Sequence, residues 1–176
     1  YFNFFTANNW ILILQSSVIV GVMTIGLAFV MIGGGFDLSF AATMLFCGAV
    51  AARFMIGDEP STPAALIVAP LVGAVIGLAN GAVIVFGGIS PLLGTIANSL
   101  IIRALGVLFV MKTWMEIPGD ASAFPFIGQG ALGGVPFSVY LFIAIAVIAH
   151  IVLTKSNYGR RLFSCGANPR AARVAG

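Results

Sequence analysis

Charged residues are scarce in this sequence of 176 residues, and that scarcity decides the class of protein. Aspartate, glutamate, lysine and arginine together make up 7% of the chain, whereas 60% of the residues are hydrophobic. The mean hydropathy is +1.12, and a soluble domain usually carries about 25% charged residues. A surface in contact with water cannot be built from so few charges. We therefore predict an integral membrane protein.

Residues that build catalytic and metal sites are also nearly missing. The chain has two cysteines, Cys47 in an apolar run and Cys165 in a basic segment, and a single histidine, His150. Two thiols so placed indicate neither a disulfide framework nor a metal site. One histidine among apolar neighbours provides neither a ligand set nor a nucleophile–base pair. We predict no catalytic residue and no metal site, and expect both cysteines to be packing residues.

A nucleotide-binding motif is lacking as well. The pattern G-x-x-x-x-G-K-[ST] does not occur, because neither lysine of the chain follows a glycine. The run GQGALG at 128–133 matches G-x-G-x-x-G, but that fingerprint requires a strand before it and a helix after it. Here it lies in a loop flanked by prolines. We expect this chain to bind no cofactor, so if the protein uses ATP, another chain binds it.

The sequence does contain long hydrophobic runs. Crossing the hydrocarbon core takes about 20 apolar residues, and about five segments come close to that length. Their apolar residues are continuous rather than alternating, which favours helices over the strands of a barrel. We predict an all-α, polytopic transmembrane bundle in which residues 1–176 are part of one domain. The chain begins with Tyr1 rather than methionine, so we expect a piece of a longer protein. The predicted spans are about 10–32, 38–56, 64–86, 92–111 and 137–154.

The distribution of charge predicts the orientation of these spans. Residues 155–176 contain five lysines and arginines and no acid, so the positive-inside rule places this segment in the cytoplasm. Counting back, the loops around 57–63 and 112–136 would lie outside and those around 33–37 and 87–91 inside. The predicted outer loops carry the acids Asp58, Glu59, Glu116 and Asp120.

A few polar side chains interrupt the apolar spans. Thr95, Ser99 and Arg103 recur every four residues, which predicts a polar stripe along one helix, and Asn98 lies beside it. Polar residues at such depth normally face the bundle interior or a water-filled cavity. The stripe could line a transport path or join helices to each other.

Two further polar residues, Asn80 and Asp37, could likewise line a transport path or join helices to each other. Asn80 flanks Gly73, Gly77 and Gly81, whose spacing would let another helix approach closely, and we favour Asn80 as a bridge between helices. Asp37 follows the run MIGGG. A pairing of Asp37 with Arg103 cannot be tested from the sequence.

Glycines mark the joints between spans. We propose hinges at two joints because they lie between rigid helices. Asp37 or Ser39 would also suit the start of the next helix, where a side-chain oxygen can accept orphan amides. Pro91 suits a first helical turn. The proposed hinge residues are Gly33, Gly34, Gly35, Gly87 and Gly88.

The tail carries a strong local pattern. In NPRAARVAG, Asn168 is a good N-cap and Pro169 a good first helical residue, so a short helix is predicted. Such a short helix has little area to bury within its own chain and would be stable mainly when docked. The alternative is a basic topology loop that also touches anionic membrane lipid.

Three stretches together resemble the ribose-type sugar permease family of bacterial ABC importers. GGGFDLSF resembles its G-G-[IL]-D-L-S segment, with Phe36 at the aliphatic position. GLANGAVIVFGGISPLLGTIANSLIIRALGVLF resembles its G-x-x-N-G … P-x-x-x-T-L-x-x-x-x-x-x-R-G region, with Ile96 and Ala104 departing from it. YGRRLFSCGANPRAARVAG resembles its G-R-x-x-x-A-x-G-x-N-x-x-A-A-x-x-x-G-I stretch.

The resemblance implies a role for each part. It implies a permease subunit of the bacterial inner membrane that translocates a monosaccharide, ribose-like or related, and a coupling helix within 155–176 that docks on the ATPase. Arg170 stands where the corresponding motif of other importers has glutamate. The coupling residues it implies are Asn168, Pro169, Arg170, Ala171, Ala172, Arg173 and Gly176.

The implied partners are a cytosolic ABC ATPase, a periplasmic sugar-binding protein, a second permease subunit of the same or another kind, and membrane lipid. No nucleic acid is expected. Two alternatives stay open on the sequence. One is a related permease for branched-chain amino acids or nucleosides, and the other is a membrane scaffold subunit that transports nothing.

Overall fold

A computed structural model describes residues 4–56, 59–110 and 124–174. Nearly all of this chain is helical, as the sequence predicts. The predicted residues Asp58, Glu116, Asp120 and Gly176 lie outside the described residues. The elements are α1 (Ala7–Ile32), α2 (Phe40–Arg53), α3 (Thr62–Gly87), α4 (Pro91–Leu105) with a π-helical turn at Gly106–Val110, α5 (Phe124–Gln129), β1 (Ala131–Leu132), β2 (Val135–Pro136), α6 (Phe137–Lys155), α7 (Asn157–Ala167) and α8 (Pro169–Val174).

Four of these helices are long and apolar enough to cross a membrane, which makes the chain a multi-pass membrane protein. They are Ala7–Ile32, Thr62–Gly87, Pro91–Leu108 and Phe137–Lys155. The fifth predicted span is the 14-residue α2, whose length of about 21 Å at 1.5 Å per residue is less than the hydrocarbon core. It is shorter than 38–56 because its helix begins only at Phe40 and gives way to a turn at Phe54.

The described chain divides into two compact units. The first combines Tyr1–Gly35 with Phe126–Gly176, and the second is Phe36–Pro125. The first unit therefore contains α1, both strands, α6, α7 and α8, and the second contains α2, α3 and α4.

In the second unit, α2 and α3 run antiparallel and pack through small residues. At one end Ala51 and Met55 of the α2 side contact Ala65 of α3, and Met55 and Ala65 are fully buried. Further along, the Sγ atom of Cys47 lies 3.3 Å from where a Cβ on Gly73 would be. The predicted close approach at the glycines of α3 is therefore present at Gly73. No atom of the described chain lies within 4 Å of a Cβ on Gly77.

In the first unit, α1 packs along α6 and its final turn reaches α7. Gly21 gives α1 its close approach to α6, because a Cβ there would lie 2.6 Å from the ring of Phe142. None of the residues of α1 and α6 is buried in the described chain. Their apolar side chains are consequently left for lipid or for other protein surface.

Helix α1 ends in a tight cap. Gly34 has a φ of +82°, a left-handed conformation that favours glycine. The Gly34 N–H donates to Met31 O at 3.0 Å and the Gly35 N–H donates to Val30 O at 2.9 Å, which is the hydrogen-bond pattern of a Schellman cap. This cap fixes the direction in which the chain leaves the helix.

A small hairpin precedes α6. Strands β1 and β2 pair antiparallel, with Leu132 opposite Val135. The two residues between them, Gly133 and Gly134, both have positive φ, at 58° and 81°, as a type I′ turn requires. GQGALG therefore runs from a short helix into a hairpin and is not the strand–turn–helix of a dinucleotide site.

Helix α7 is a feature that the sequence analysis missed. The sequence predicts a loop with one short helix for residues 155–176, yet Asn157–Ala167 forms a further helix before that one. The Ser156 hydroxyl caps it by accepting the N–H of Gly159 at 3.0 Å. The segment YGRRLFSCGA has too few apolar residues for a span, and α7 instead packs on the ends of α1 and α6.

Candidate functional site

Four polar side chains of the second unit form a continuous hydrogen-bonded series, which we call the polar chain. Asn98 Nδ2 donates to Asn80 Oδ1 at 2.6 Å. Asn80 Nδ2 donates to Ser39 Oγ at 2.6 Å. Ser39 Oγ donates to Asp37 Oδ1 at 2.7 Å. The polar chain thus joins α4, α3 and the segment before α2 through side chains alone.

The polar chain is buried at its centre and half-buried at Asp37 and Asn98. Ser39 is fully buried and Asn80 is 8% exposed. A buried amide or hydroxyl is costly unless it is hydrogen-bonded, and here each donor in the series meets an acceptor. The series ends on a carboxylate, whose bonds with donors are stronger than those of neutral acceptors. The arrangement fastens three segments together and contains no nucleophile–base pair.

Thr95 provides a second link between α4 and the start of α2. Its Oγ1 accepts the N–H of Leu38 at 3.1 Å and donates to Pro91 O at 2.8 Å. The side chain is 1% exposed. Pro91 is the first residue of α4, as predicted. Without Thr95, the N–H of Leu38 would be an unpaired donor next to this buried side chain.

The predicted capping of α2 by Asp37 or Ser39 is wrong. Ser39 occupies the N-cap position but makes no side-chain capping bond, because its hydroxyl is used by Asp37 and Asn80. Asp37 Oδ1 accepts the N–H of Ser39 at 2.7 Å, which closes an Asx turn two residues along and reaches none of the amides of the first helical turn.

Two members of the predicted polar stripe stand apart from the polar chain. The Ser99 hydroxyl donates to Ile96 O of its own helix at 2.8 Å. Arg103 is exposed, and the bonds described for Asp37 go to Ser39 rather than to Arg103. The structure thus brings Asp37, Asn80, Thr95 and Asn98 together, and Ser99 and Arg103 take no part in their bonds.

At the end of the chain, α8 is a short capped helix with an exposed surface. Asn168 Oδ1 accepts the N–H groups of Arg170 and Ala171, each at 3.1 Å, so Asn168 is the N-cap that the sequence predicts. Pro169 is the first helical residue. Ala172 is half-buried and the other residues of α8 are exposed, Val174 at 91%. No residue of α8 is buried in the described chain.

The predicted hinge glycines lie at two helix ends. Gly33, Gly34 and Gly35 form the hydrogen-bonded cap of α1. Gly87 is the last residue of α3, and Gly88 follows it with a φ of 64°. A Cβ on Gly88 would meet no atom of the described chain within 4 Å. The two joints therefore differ, since one is packed and the other is open.

An open groove of about 820 Å³ runs along α1 in the first unit. Leu12, Val20, Ile25 and Phe142 are among the residues that line it. Its hydroxyl groups include those of Ser17 and Thr24, which donate to Ile13 O and Val20 O of their own helix. With so few free polar groups, the groove does not resemble a site built to bind a sugar through its hydroxyl groups.

Comparison with known proteins identifies the family. Residues 9–176 match the model of the family described as branched-chain amino acid transport system / permease component. The chain belongs to this family. The permease resemblance drawn from the three sequence segments is thereby confirmed, as is the all-α, multi-pass architecture.

Among curated relatives of this permease, several are named for import of small molecules. It is 29% identical to the ribose import permease protein RbsC of Escherichia coli (strain K12) over 176 residues, 99% of this chain and 54% of RbsC. It is 27% identical to the D-allose transport system permease protein AlsC of the same strain over 173 residues, 98% of this chain and 52% of AlsC.

A third relative, the autoinducer 2 import system permease protein LsrD of Klebsiella pneumoniae, is 33% identical over 161 residues, 89% of this chain and 48% of LsrD. The chain spans about half the length of the curated relatives it matches. No solved structure was found to match it.

Sequence reasoning did not single out Ser39 as a member of the permease's polar series. It was considered only as a helix cap, although it is the central link between Asp37 and Asn80. The sequence Asp-Leu-Ser does indicate a turn at Ser39, because an aspartate side chain tends to bond the backbone N–H two residues later. That turn aims the Ser39 hydroxyl at α3.

Proposed function

We propose that this chain is part of the membrane-spanning permease of a bacterial ABC importer for a monosaccharide. The observation that carries the proposal is the match over 99% of the chain to a permease named for ribose import. A second permease, matched over 98% of the chain, is named for D-allose. The family description names branched-chain amino acids instead. Uptake of such an amino acid is therefore the alternative to test against uptake of a sugar.

The geometry supports a conduit rather than an enzyme. Long apolar helices would form the passage walls, and the polar chain would keep three of their segments in register. The described residues hold no group of three metal-ligating side chains. In this proposal ATP and magnesium are bound by a separate cytosolic ATPase.

The exposed α8 supports the proposed contact with that ATPase. The first N–H groups of α8 are capped by Asn168, while no residue of the helix is buried by the rest of the described chain. In the proposal, residues 155–176 face the cytoplasm and α8 is the coupling helix. A periplasmic sugar-binding protein would deliver substrate from the other side, and a second permease subunit would complete the passage within the inner membrane, in contact with its lipid.

Reconstituted uptake tests the function. The full-length permease, its ATPase and its binding protein would be placed in proteoliposomes and supplied with labelled ribose, allose, leucine or a nucleoside. We expect ATP-dependent accumulation of at least one sugar, with a non-hydrolysable ATP analogue as the control. Accumulation of leucine or a nucleoside without any sugar would reassign the substrate class. No accumulation of any solute with a competent ATPase would favour a scaffold role.

Labelling of Cys165 tests the orientation. The excess of lysine and arginine in 155–176 should keep α7 on the cytoplasmic side. Cys165 is exposed there, so the packing role expected for it from the sequence is wrong. In a full-length permease with no other exposed cysteine, a membrane-impermeant maleimide should label inside-out vesicles and spare right-side-out vesicles. A Cys165→Ser protein carrying Ala131→Cys in the hairpin should show the opposite preference. Labelling of Cys165 from outside would reverse the proposed topology.

A further inference from the structure

The end of α1 and the end of α7 meet backbone to backbone. A Cβ built on Gly166 would overlap the carbonyl oxygen of Ile32, and one built on Gly34 would lie 3.5 Å from the Cα of Gly166. Glycine at position 166 therefore allows an approach that no other residue would permit without a shift of one helix. We call the packing of Gly166 on Ile32 and Gly34 the glycine contact.

The cap of α1 explains why a carbonyl faces α7. The hydrogen bonds of the cap use the carbonyls of Phe29, Val30 and Met31, and the carbonyl of Ile32 points toward Gly166. A Cα–H group directed at a carbonyl oxygen forms a weak hydrogen bond. The glycine contact thus has a directional component besides van der Waals packing.

Side chains in the preceding turns of α7 also contact α1. Leu162 Cδ1 lies 2.9 Å from where a Cβ on Gly33 would be, and the ring of Tyr158 stacks on Phe29 with centroids 6.4 Å apart. At the other end of α7, a Cβ on Gly159 would overlap the carbonyl of Leu153 in α6. Helix α7 therefore packs on α1 along its length, through Tyr158, Leu162 and Gly166, and on α6 at its start.

The proposed coupling helix follows the glycine contact after two residues. The N–H of Asn168 donates to Ser164 O at 3.1 Å, and the N–H of Ala172 donates to Asn168 O at 2.9 Å. Asn168 is consequently bonded to both α7 and α8, which leaves little freedom between them. A displacement of α8 would move the end of α7.

We propose that Gly166 is the positioning residue through which movement of α8 reaches α1, an inference that rests on the proposed importer function. Side chains can absorb a small displacement by changing rotamer, whereas two backbones in direct contact cannot. Close-packed interiors transmit strain for this reason. Gly33–Gly35 then receives the displacement of α7 through direct packing, in contrast to the hinge expected from sequence.

The test compares Gly166→Ala with Cys165→Ala in the complete importer. Cys165 is the exposed neighbour of Gly166 on the same helix, so its variant is the matched control. For Gly166→Ala we expect the ATPase to co-purify and hydrolyse ATP, while sugar uptake per ATP falls about tenfold, within the usual range of coupling between sites. Normal uptake per ATP in an assembled Gly166→Ala importer would overturn the proposal.

A second measurement uses the unaltered contact, in case Gly166→Ala does not assemble. Spin labels at the exposed positions Met31, Ala131 and Phe163 would be measured in pairs, before and after trapping the ATPase with ATP and vanadate. We expect the 131–163 distance to change and the 31–163 distance to stay constant, because the two helix ends move as one body. A change in the 31–163 distance, or no change in either, would overturn the proposal.

The unaltered importer separates this inference from the function on which it rests. If the wild-type assembly neither binds the ATPase nor moves a sugar, the proposed function fails. If the wild type transports and Gly166→Ala transports equally well, only the role of the glycine contact fails.

Discussion

Ala171→Glu is expected to abolish binding of the ATPase to the full-length permease while leaving the permease folded. Ala171 lies on the exposed surface of α8, and its backbone N–H is already capped by Asn168. Glutamate would place an unpaired carboxylate into a contact that now accommodates a methyl group, and such buried charges cost about 3–5 kcal/mol. An affinity loss of about 100-fold or more follows, measurable by co-purification.

Two controls separate docking from general damage in this experiment. Ala131→Glu makes the same change of charge and size at an exposed residue of the hairpin and should leave ATPase binding intact. Ala171→Ser keeps the side chain small and should bind nearly normally. Full co-purification of the Ala171→Glu protein, with ATP hydrolysis still stimulated, would remove α8 from the coupling interface.

Asn80→Leu is expected to destabilise the permease through the polar chain. The substitution keeps the approximate volume but removes the bonds to Ser39 and Asn98, and it leaves the Asn98 amide without its acceptor. Interhelical hydrogen bonds in membranes contribute about 0.6–1.7 kcal/mol each, so the free energy of unfolding in detergent should fall by about 2 kcal/mol. The loss should be measurable by reversible unfolding of the full-length protein.

A double-mutant cycle with Asn98→Leu identifies the cause of that loss. If the two amides bond each other, their coupling energy should be about 0.6–1.7 kcal/mol. Ser99→Ala is the matched control, since the Ser99 hydroxyl bonds only a carbonyl of its own helix among the described contacts. A Ser99→Ala protein as unstable as the Asn80→Leu protein, or a coupling energy near zero, would contradict the importance of the polar chain.

The long helices could be predicted from sequence because hydropathy and length are properties of each segment alone. Helix α7 could not, since Gly159 and Gly166 within YGRRLFSCGA favour a loop by local propensity. It packs on α6, which directly precedes it, and on α1, which is far away in sequence. Helix α2 could be predicted only in part. Its apolar run is clear in the sequence, but its ends are set by the turn at Asp37 and by the chain reversal at Phe54.

The sequence also could not show which residues of the polar stripe face the neighbouring helices. A step of four residues turns a helix by about 400°, so the stripe drifts by about 40° at each step. Arg103 therefore lies about 80° around α4 from Thr95, whereas Ile102 lies about 20° away and is 4% exposed. The face toward α3 and α2 is consequently marked by Thr95, Asn98 and Ile102, and Ser99 and Arg103 are turned away from it.

Helix α1 makes two specific contacts that lie far apart along its length. In its first half, Gln15 Nε2 donates to Gly128 O, just before the hairpin, at 2.9 Å. Near its finish, the carbonyl of Ile32 rests on Gly166. The 17 helical steps from Gln15 to Ile32 cover about 26 Å, most of the thickness of a bilayer's hydrocarbon core. One continuous helix thus carries both contacts, so a displacement of its end at Gly166 would tilt α1 about the hydrogen bond that Gln15 makes next to the hairpin.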